Sequence, residues 1–173
     1  MHVLRMLEAS YAHRGKTIVP PTTLRIGPGE RMAYACANAR EAEALAMMAG
    51  ALLRPTGGTI LIGEYDPRVQ PVHCKRIAAF VPHDPLPLNR IDADRFIDYR
   101  AALWDIDRAQ ARKHAQRLLE RLDGLHEAFA YPVIAALLPS PQLVVLDRPQ
   151  PQNADVIARA AGSSAVLTVS VPR

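Results

Sequence analysis

The sequence predicts an α/β domain with a parallel sheet, because three patterns occur together. Short β-branched and apolar stretches alternate with a long run of helix-forming residues in the first half of the chain. A block with helical periodicity and charged outer faces interrupts this alternation in the middle. The continuous apolar run "QLVVLD" near the carboxyl end is typical of a central parallel strand. Strand–helix alternation with an inserted helical block favours the α/β class.

The first third of the chain is predicted to be mostly strand. "MHVLRMLEASYA" alternates, "KTIV" and "TTLRI" are rich in β-branched residues, and "GPGE" is a turn, so short strands broken by turns are expected there. A buried strand is expected at Met32–Ala35. A helix over "NAREAEALAMMAGALL" should follow and end near "RPTGG". "TILIG" and "RIAAFVP" are the next strands, and Pro82 ends the second of them.

The rest of the chain is predicted to change from helix back to strand. "RIDADRFIDYRAALWDI" and "DRAQARKHAQRLLERLDGL" have helical periodicity. "YPVIAALLPSP" leads into the buried strand Leu143–Asp147, and "SAVLTVSV" is the last strand. The helix expected between Asp155 and that last strand is short, about two turns.

Composition excludes several classes of protein. The net charge of +4 is spread along the chain without the basic run of a nucleic-acid arm. Cys36 and Cys74 lie in no C-x-x-C pattern, so both are predicted to be free thiols in a reducing compartment. His73 precedes Cys74, but metal ligation would need two more partners, and no metal is expected. No signal peptide or membrane-spanning run is found, and a cytoplasmic protein is predicted.

Three segments together resemble the ATP-binding cassette (ABC) ATPase family. "GERMAY…ALAMMAGALLRPTGGTILIGEYDP" is similar to the strand, phosphate helix and following strand of that fold. "RIAAFVPHDPLPLN" is similar to the strand that leads into the glutamine loop, and "AALLPSPQLVVLDRPQPQNAD" to the helix, Walker B strand and D-loop. The resemblance implies a P-loop NTPase-like core with N-terminal antiparallel strands. Residues 1–82 and 139–173 would form this core lobe, and residues 83–138 a reduced helical subdomain.

The phosphate loop of this family depends on two features that the sequence lacks. Glycines adopt conformations that aim backbone N–H groups inward, and a lysine reaches the terminal phosphates. The corresponding stretch, "CANAREAEA" at residues 36–44, contains neither, is one residue short of the family spacing, and has Arg40 as its only cation. Asn38 and Glu41 have the spacing of a capping box. The loop is therefore predicted to have become an ordinary helix start.

Two acidic residues, Glu41 and Glu43, fall where the resemblance places the phosphates. The N-terminus of a helix attracts anions, and these carboxylates would occupy that field from within the chain. At about 4 Å and an effective dielectric of about 20, each would oppose a unit phosphate charge by roughly 4 kcal/mol. We therefore expect no cofactor, whereas ATP with magnesium is expected only if an unorthodox site still works.

The Walker B strand keeps its aspartate, Asp147, which in an active relative would hold the magnesium shell. The family's next residue is a glutamate that orients or activates the attacking water. This chain has Arg148 there, which is always protonated and cannot act as a base. One hypothesis is that Arg148 lies near Glu41 or Glu43 and forms an internal ion pair with them. The alternative is that its guanidinium points to solvent.

Other positions that the resemblance singles out also depart from the family pattern. His83 replaces the glutamine of the glutamine loop, and a solvated or packed loop histidine is the alternative to a ligand. Either "DGLHE", Asp123–Glu127, or a deletion stands where the glycine-rich signature is expected. No switch histidine follows the last strand in "TVSVPR". Tyr11 or His13 could stack on adenine, although a plain strand role is expected for Tyr11. Neither half of the usual nucleotide sandwich is therefore expected here.

These departures predict a pseudo-ATPase without catalytic residues that acts as a scaffold or regulatory subunit. In the family, the helical lobe and the glutamine-loop region form the groove that receives a permease's coupling helix. Ile91–Trp104 keeps an amphipathic face, with candidate partner contacts at Phe96, Tyr99, Leu103 and Trp104, unless these side chains pack the lobe itself. Expected partners are a membrane permease, a secretion-machine component, another cassette protein or a second copy of the chain. Such a partner would bring a cytoplasmic protein to the inner membrane.

Two other functions fit parts of the sequence. An ATP-binding subunit of an ABC transporter with an unorthodox but working site would show measurable affinity for ATP. A basic-surface polyanion binder, recognising nucleic acid or anionic lipid, would show steeply salt-dependent binding. The sequence contains no aromatic–basic interleaving and no groove-reading helix, so nucleic acid is not an expected partner.

Overall fold

The computed structural model describes residues 2–87 and 89–172 and consists of two sheets and the helices around them. The elements in chain order are β1 Leu4–His13, β2 Lys16–Ile26, β3 Arg31–Ala35, α1 Ala39–Ala49, β4 Gly57–Ile62, α2 Pro71–Ile77, β5 Ala78–Val81, α3 Arg90–Leu103, α4 Arg108–Arg121, α5 Glu127–Leu137, β6 Leu143–Asp147, α6 Pro151–Ala160 and β7 Ala165–Ser170. The predicted α/β class with a helical block between β5 and β6 is confirmed. Within this part of the chain, no helix combines the length and hydropathy needed to cross a membrane.

The first sheet is antiparallel and has the strand order β2-β1-β4. The prediction of short strands near the N-terminus is wrong, because two strands of ten and eleven residues form instead. Pro20 and Pro21, which suggested a break, lie opposite Ser10 between the Ala9–Thr22 and Tyr11–Val19 pairs. They therefore occupy a bulge on an edge strand, where the missing N–H groups of proline are tolerated.

The second sheet is parallel and has the strand order β3-β7-β6-β5. All five residues of β6 are buried, as expected for a central strand covered on both faces. The burial predicted for Met32–Ala35 is wrong, since the residues of β3 alternate between exposed and partly buried. The reason is position: β3 pairs only with β7 and forms one edge of the sheet.

The parallel sheet separates two hydrophobic cores. On one side α1 packs its buried residues, among them Leu45 and Met48, against the antiparallel sheet and alternate residues of β6 and β7. On the other side α3, α4, α5 and α6 pack against Val144, Leu146 and Val166. The helices therefore cover the sheet on both faces, and the carboxyl ends of its strands meet at one edge. The division into a core lobe and a helical subdomain at residues 83–138 stays a prediction.

Two helices that begin with a proline, α2 and α6, differ from the sequence prediction. The helices of the middle block, α3 and α4, were predicted, whereas α2 was not. Both α2 and α6 begin with a proline, at Pro71 and Pro151. Proline is compatible with the first turn of a helix because its missing N–H has no intrahelical partner there. The last helix consequently has ten residues, about three turns, rather than the two turns expected.

Candidate functional site

The candidate site lies at the carboxyl edge of the parallel sheet. The segments that follow β3, β5 and β6 bring Cys36, His83 and Arg148 to this edge. In open sheets of this kind, ligands bind outside the carboxyl ends of the strands. The sequence-predicted nucleotide-site positions therefore occupy the place in the fold where a ligand would bind, and their contacts decide whether one can.

The loop between β3 and α1 is a compact turn of three residues, Cys36–Asn38. Asn38 caps the helix, because its side-chain oxygen accepts a hydrogen bond of 3.0 Å from the Glu41 N–H. The residues with positive φ in the part of the chain described above include none from this loop. A phosphate nest requires left-handed residues that turn successive N–H groups toward one anion. The predicted helix start is present, and the loop has no such nest.

Glu41 closes this loop from the helix side. Its carboxylate accepts a hydrogen bond of 3.1 Å from the Ala37 N–H, and its residue is only 8% exposed. The neighbouring Cys36 N–H donates to the carbonyl of Ser170 in β7 at 2.8 Å. Two consecutive N–H groups of this loop are thus already used inside the protein. An anion that needed the Ala37 N–H would have to displace a buried carboxylate.

The pKa of the Cys36 thiol depends on its burial and on the negative charges around this loop. Burial, the carboxylates of Glu41 and Asp147, and a hydrogen bond to Glu41 together raise the pKa of Cys36 to about 12. The thiol is therefore protonated at neutral pH and is a poor nucleophile. Cys74, whose pKa is raised to about 11 by burial and by Asp66, is likewise a free buried thiol.

Asp147 is neutralised by the residue that follows it. The Arg148 guanidinium donates from Nε and Nη2 to the two carboxylate oxygens of Asp147, at 2.8 and 2.9 Å. Only 3% of the Asp147 side chain and 20% of the Arg148 side chain are exposed. The charge-assisted hydrogen bond and the Asp147 charge raise the pKa of Arg148, and Glu43 and Asp84 add to this field.

This pairing corrects the sequence hypothesis about Arg148. Arg148 does form an internal ion pair, but its partner is Asp147, and no ion pair with Glu41 or Glu43 occurs within residues 2–87 and 89–172. The solvent-pointing alternative is also wrong. The physical reason is the backbone at Arg148, whose φ of +44° turns the side chain back toward its neighbour.

His83 joins the same cluster through the backbone. Its Nδ1 lies 2.7 Å from the carbonyl oxygen of Arg148, which can only accept, so Nδ1 carries the hydrogen. The Arg148 N–H in turn donates to the carbonyl of Val169 at 2.8 Å. His83 therefore steadies the turn that aims Arg148 at Asp147.

The remaining predicted site residues are not drawn into this cluster. Arg40 and Glu43 are exposed on the first turns of α1, and neither forms an ion pair with another residue in the part of the chain that the structure covers. Solvent therefore weakens the electrostatic repulsion between Glu43 and a bound anion, and Glu41 accounts for most of the repulsion. No group of three or more potential metal ligands occurs among the residues described.

The segment "DGLHE" leads into α5, whose N-cap is His126 and whose first residue is Glu127. Gly124 has a φ of +94°, and the His126 imidazole accepts from the Ala128 N–H at 3.3 Å, which caps the helix. Tyr11 and His13 lie in β1, where Tyr11 pairs with Val19 of β2. Tyr11 thus has the strand position that the sequence analysis preferred.

A groove lies beside β5, between α2 and α3. We use the term docking groove for the cavity of about 480 Å³ that Leu52, Val72, Phe80, Leu103 and Trp104 help to line between α2 and α3. A second cavity of about 420 Å³ shares Phe80 and Arg100 with it and includes Phe96. Three of the four predicted partner contacts line these cavities. The fourth, Tyr99, is exposed and lines neither.

The docking groove is cationic and has an unsatisfied donor. Lys75, Arg76 and Arg100 line it, and the lining residues that the structure describes include no acid. The Arg100 guanidinium carbon lies 5.7 Å from the centre of the Trp104 ring, and burial lowers the pKa of Arg100. The Trp104 indole N–H is buried without a hydrogen-bond partner among the residues described. Sequence analysis missed this set because Lys75 and Arg76 lie on the unpredicted helix α2.

Comparison with solved structures identifies the fold. The chain superposes on an ATP-binding subunit of an ABC transporter with a TM-score of 0.76 and 16% identity, over 97% of this chain and 79% of the other. It superposes on cbiO1 of Clostridium perfringens, part of the ABC transporter complex cbiONQ, with a TM-score of 0.75 and 14% identity, over 99% and 79%. No protein-family model and no curated protein sequence matches the chain.

These likenesses confirm the predicted fold class: a P-loop NTPase-like core of the ABC cassette type with N-terminal antiparallel strands. At such low sequence identity they establish the fold and not the activity.

Proposed function

We propose that the chain is a non-catalytic subunit with an ABC cassette fold, a pseudo-ATPase that serves as a scaffold or regulator of a membrane transport or secretion complex. The observation that carries this proposal is the internal closure of the candidate nucleotide site. Glu41 accepts the Ala37 N–H, and Arg148 occupies both carboxylate oxygens of Asp147. The groups that would contact phosphate and magnesium, the Ala37 N–H and the Asp147 carboxylate, are thus occupied by Glu41 and Arg148.

The energetic argument rests on what ATP would have to displace. A phosphate approaching the Ala37 N–H meets the Glu41 carboxylate, which at about 4 Å opposes it by roughly 4 kcal/mol. A magnesium ion approaching Asp147 must break a bidentate pair in a poorly solvated place. The loop offers no lysine and no left-handed residues in compensation. Without a glutamate after Asp147, the chain also lacks the group that would orient an attacking water.

Nucleotide binding provides the first test. We expect calorimetric titration with magnesium-ATP into the millimolar range to give no saturable heat and no rise in Tm. A ligand at its dissociation constant stabilises the native state by about 0.4 kcal/mol, so even weak binding would be detected as a shift. A shift that disappears in Asp147→Asn would contradict the proposal and favour a working site of unusual composition.

A scaffold needs a surface for its partner, and we assign that role to the docking groove. Its floor is apolar, with Leu52, Val72 and Leu103 about half exposed or more. Its charged residues are cationic, and the Trp104 indole N–H has no acceptor in the part of the chain that is described. An amphipathic helix with acidic residues beside its apolar face would cover the floor and pair with the cations. A membrane permease that presents such a helix would hold this cytoplasmic chain at the inner membrane.

Substitution in the docking groove tests this assignment. Leu103→Asp places an acid on the apolar floor, and we expect it to weaken association with the partner tenfold or more, because a desolvated carboxylate opposes docking. Val69→Asp is the matched control, since Val69 is 76% exposed and lies outside the groove. Co-purification with tagged chain from the source cell gives the partner. Fluorescence of Trp104, the single tryptophan, then reports docking of the purified partner. Equal binding by both variants would contradict the assignment.

A further inference from the structure

A separate cavity lies on the outer face of the helical block. It has a volume of about 480 Å³ and lies between α4 and the residues that end α5. Its polar wall consists of His114, Arg117 and Arg121, which recur along one face of α4. Its apolar floor includes Leu118 and Leu138. We call this the α4 cavity, and its volume is in the range of small-molecule sites.

The basic residues of α4 divide into two sets. Arg108 and Arg112 both pair with Asp98 of α3, at 2.6 and 2.8 Å. Arg117 and Arg121, which face the α4 cavity, form no ion pair with any residue whose side chain the structure describes. The described residues that line the cavity include no acid. The positive charge in the cavity is therefore uncompensated within the described chain.

Both burial and this excess positive charge affect the pKa of His114. Its pKa is lowered, first by burial and then by the charges of Arg117 and Arg121, while a hydrogen bond to the backbone of Leu138 acts in the opposite direction. The residues that line the cavity opposite α4, among them Pro139 and Ser140, are uncharged. A bound anion would relieve the repulsion between Arg117 and Arg121.

We propose that the α4 cavity binds the phosphate group of a phosphomonoester. Two guanidinium groups offer forked donors that match phosphate oxygens in a bidentate manner. A phosphomonoester carries nearly two negative charges at neutral pH, which suits two arginines better than a single carboxylate would. The apolar floor can receive the organic part of the ester. This site is distinct from the sheet edge and does not depend on the proposed function.

Calorimetric titration with inorganic phosphate and with phenyl phosphate, at constant ionic strength, tests the assignment. We expect saturable binding of both, with phenyl phosphate bound more tightly because its ring covers the apolar floor. Arg117→Gln/Arg121→Gln should lose tenfold or more in affinity. Arg108→Gln/Lys113→Gln removes the same charge from the same helix outside the cavity, leaves Arg112 on Asp98, and should change the affinity less than twofold. Circular dichroism and thermal unfolding check that both variants fold.

A vesicle assay separates a soluble ester from a lipid headgroup. Sedimentation with phosphatidylcholine vesicles that contain phosphatidic acid, absent with plain vesicles and lost in Arg117→Gln/Arg121→Gln, would assign the site to a lipid phosphate. Binding of phenyl phosphate without such sedimentation would assign it to a soluble ester. No saturable binding of either phosphate and no sedimentation, or equal losses in the two double variants, would overturn the proposal.

Discussion

Arg148→Ala is expected to lower the free energy of unfolding by about 3 kcal/mol, because removal of one partner from a buried pair leaves the other charge without compensation. Asp147 is almost entirely buried, and both of its oxygens are held by the Arg148 guanidinium. Alanine keeps a side chain at the same positive φ, so the backbone strain is nearly unchanged. Urea unfolding at neutral pH, analysed for both the midpoint and the slope, measures the loss.

Asp147→Asn completes a double-mutant cycle around this pair. Asparagine removes the charge and keeps the shape, and Arg148 can then turn toward solvent, so this variant should lose only about 1 kcal/mol. The double variant no longer contains an unpaired buried carboxylate and should be more stable than Arg148→Ala alone. A coupling energy of about 2 kcal/mol is expected. Strictly additive losses would show that Arg148 does not hold Asp147, and the argument for a closed site would lose one of its two contacts.

Local sequence patterns predicted the features of the site that depend on short-range chemistry. The spacing of Asn38 and Glu41 defined the helix start, and the structure forms that cap. The apolar run Leu143–Asp147 defined the central strand, which is buried throughout. These features could be predicted because every interacting group lies within a few residues along the chain or follows directly from periodicity.

Other features of the site depend on conformation or on distant segments. Consecutive residues on a strand point to opposite faces, so pairing of Arg148 with Asp147 is not expected unless the strand ends between them. Arg148 does leave the strand with a left-handed φ, and its carbonyl receives a hydrogen bond from His83, 65 residues away. Arginine has no preference for that conformation, so the sequence carried no signal for it. The docking groove likewise combines α2, β5 and α3, which only the tertiary structure brings together.

The second large effect is expected in the antiparallel sheet, at Gly58 of β4. This residue has a φ of +68° and lies opposite the β1 bulge at Glu8, which itself has a φ of +49°. A Cβ atom at Gly58 would overlap the carbonyl group of Glu8 and approach the N atom of Ala9. Both are backbone atoms, so relief requires the bulge to move. Gly58→Ala should therefore lower the free energy of unfolding by roughly 3 kcal/mol, through overlap as well as backbone strain.

Gly15→Ala separates the two causes of that loss. Gly15 lies in the turn between β1 and β2 with a φ of +74°, and a Cβ there would meet no atom within 4 Å. The free energy of unfolding of this variant should fall by only about 1 kcal/mol, which is the strain of an alanine in the left-handed conformation. Urea unfolding of the two variants side by side gives the difference, which isolates the overlap at the bulge. Equal losses would mean that β4 does not approach the Glu8 bulge as closely as the structure places it. The sheet that covers α1, and with it the helix start at Asn38, would then be held less rigidly than the closed site requires.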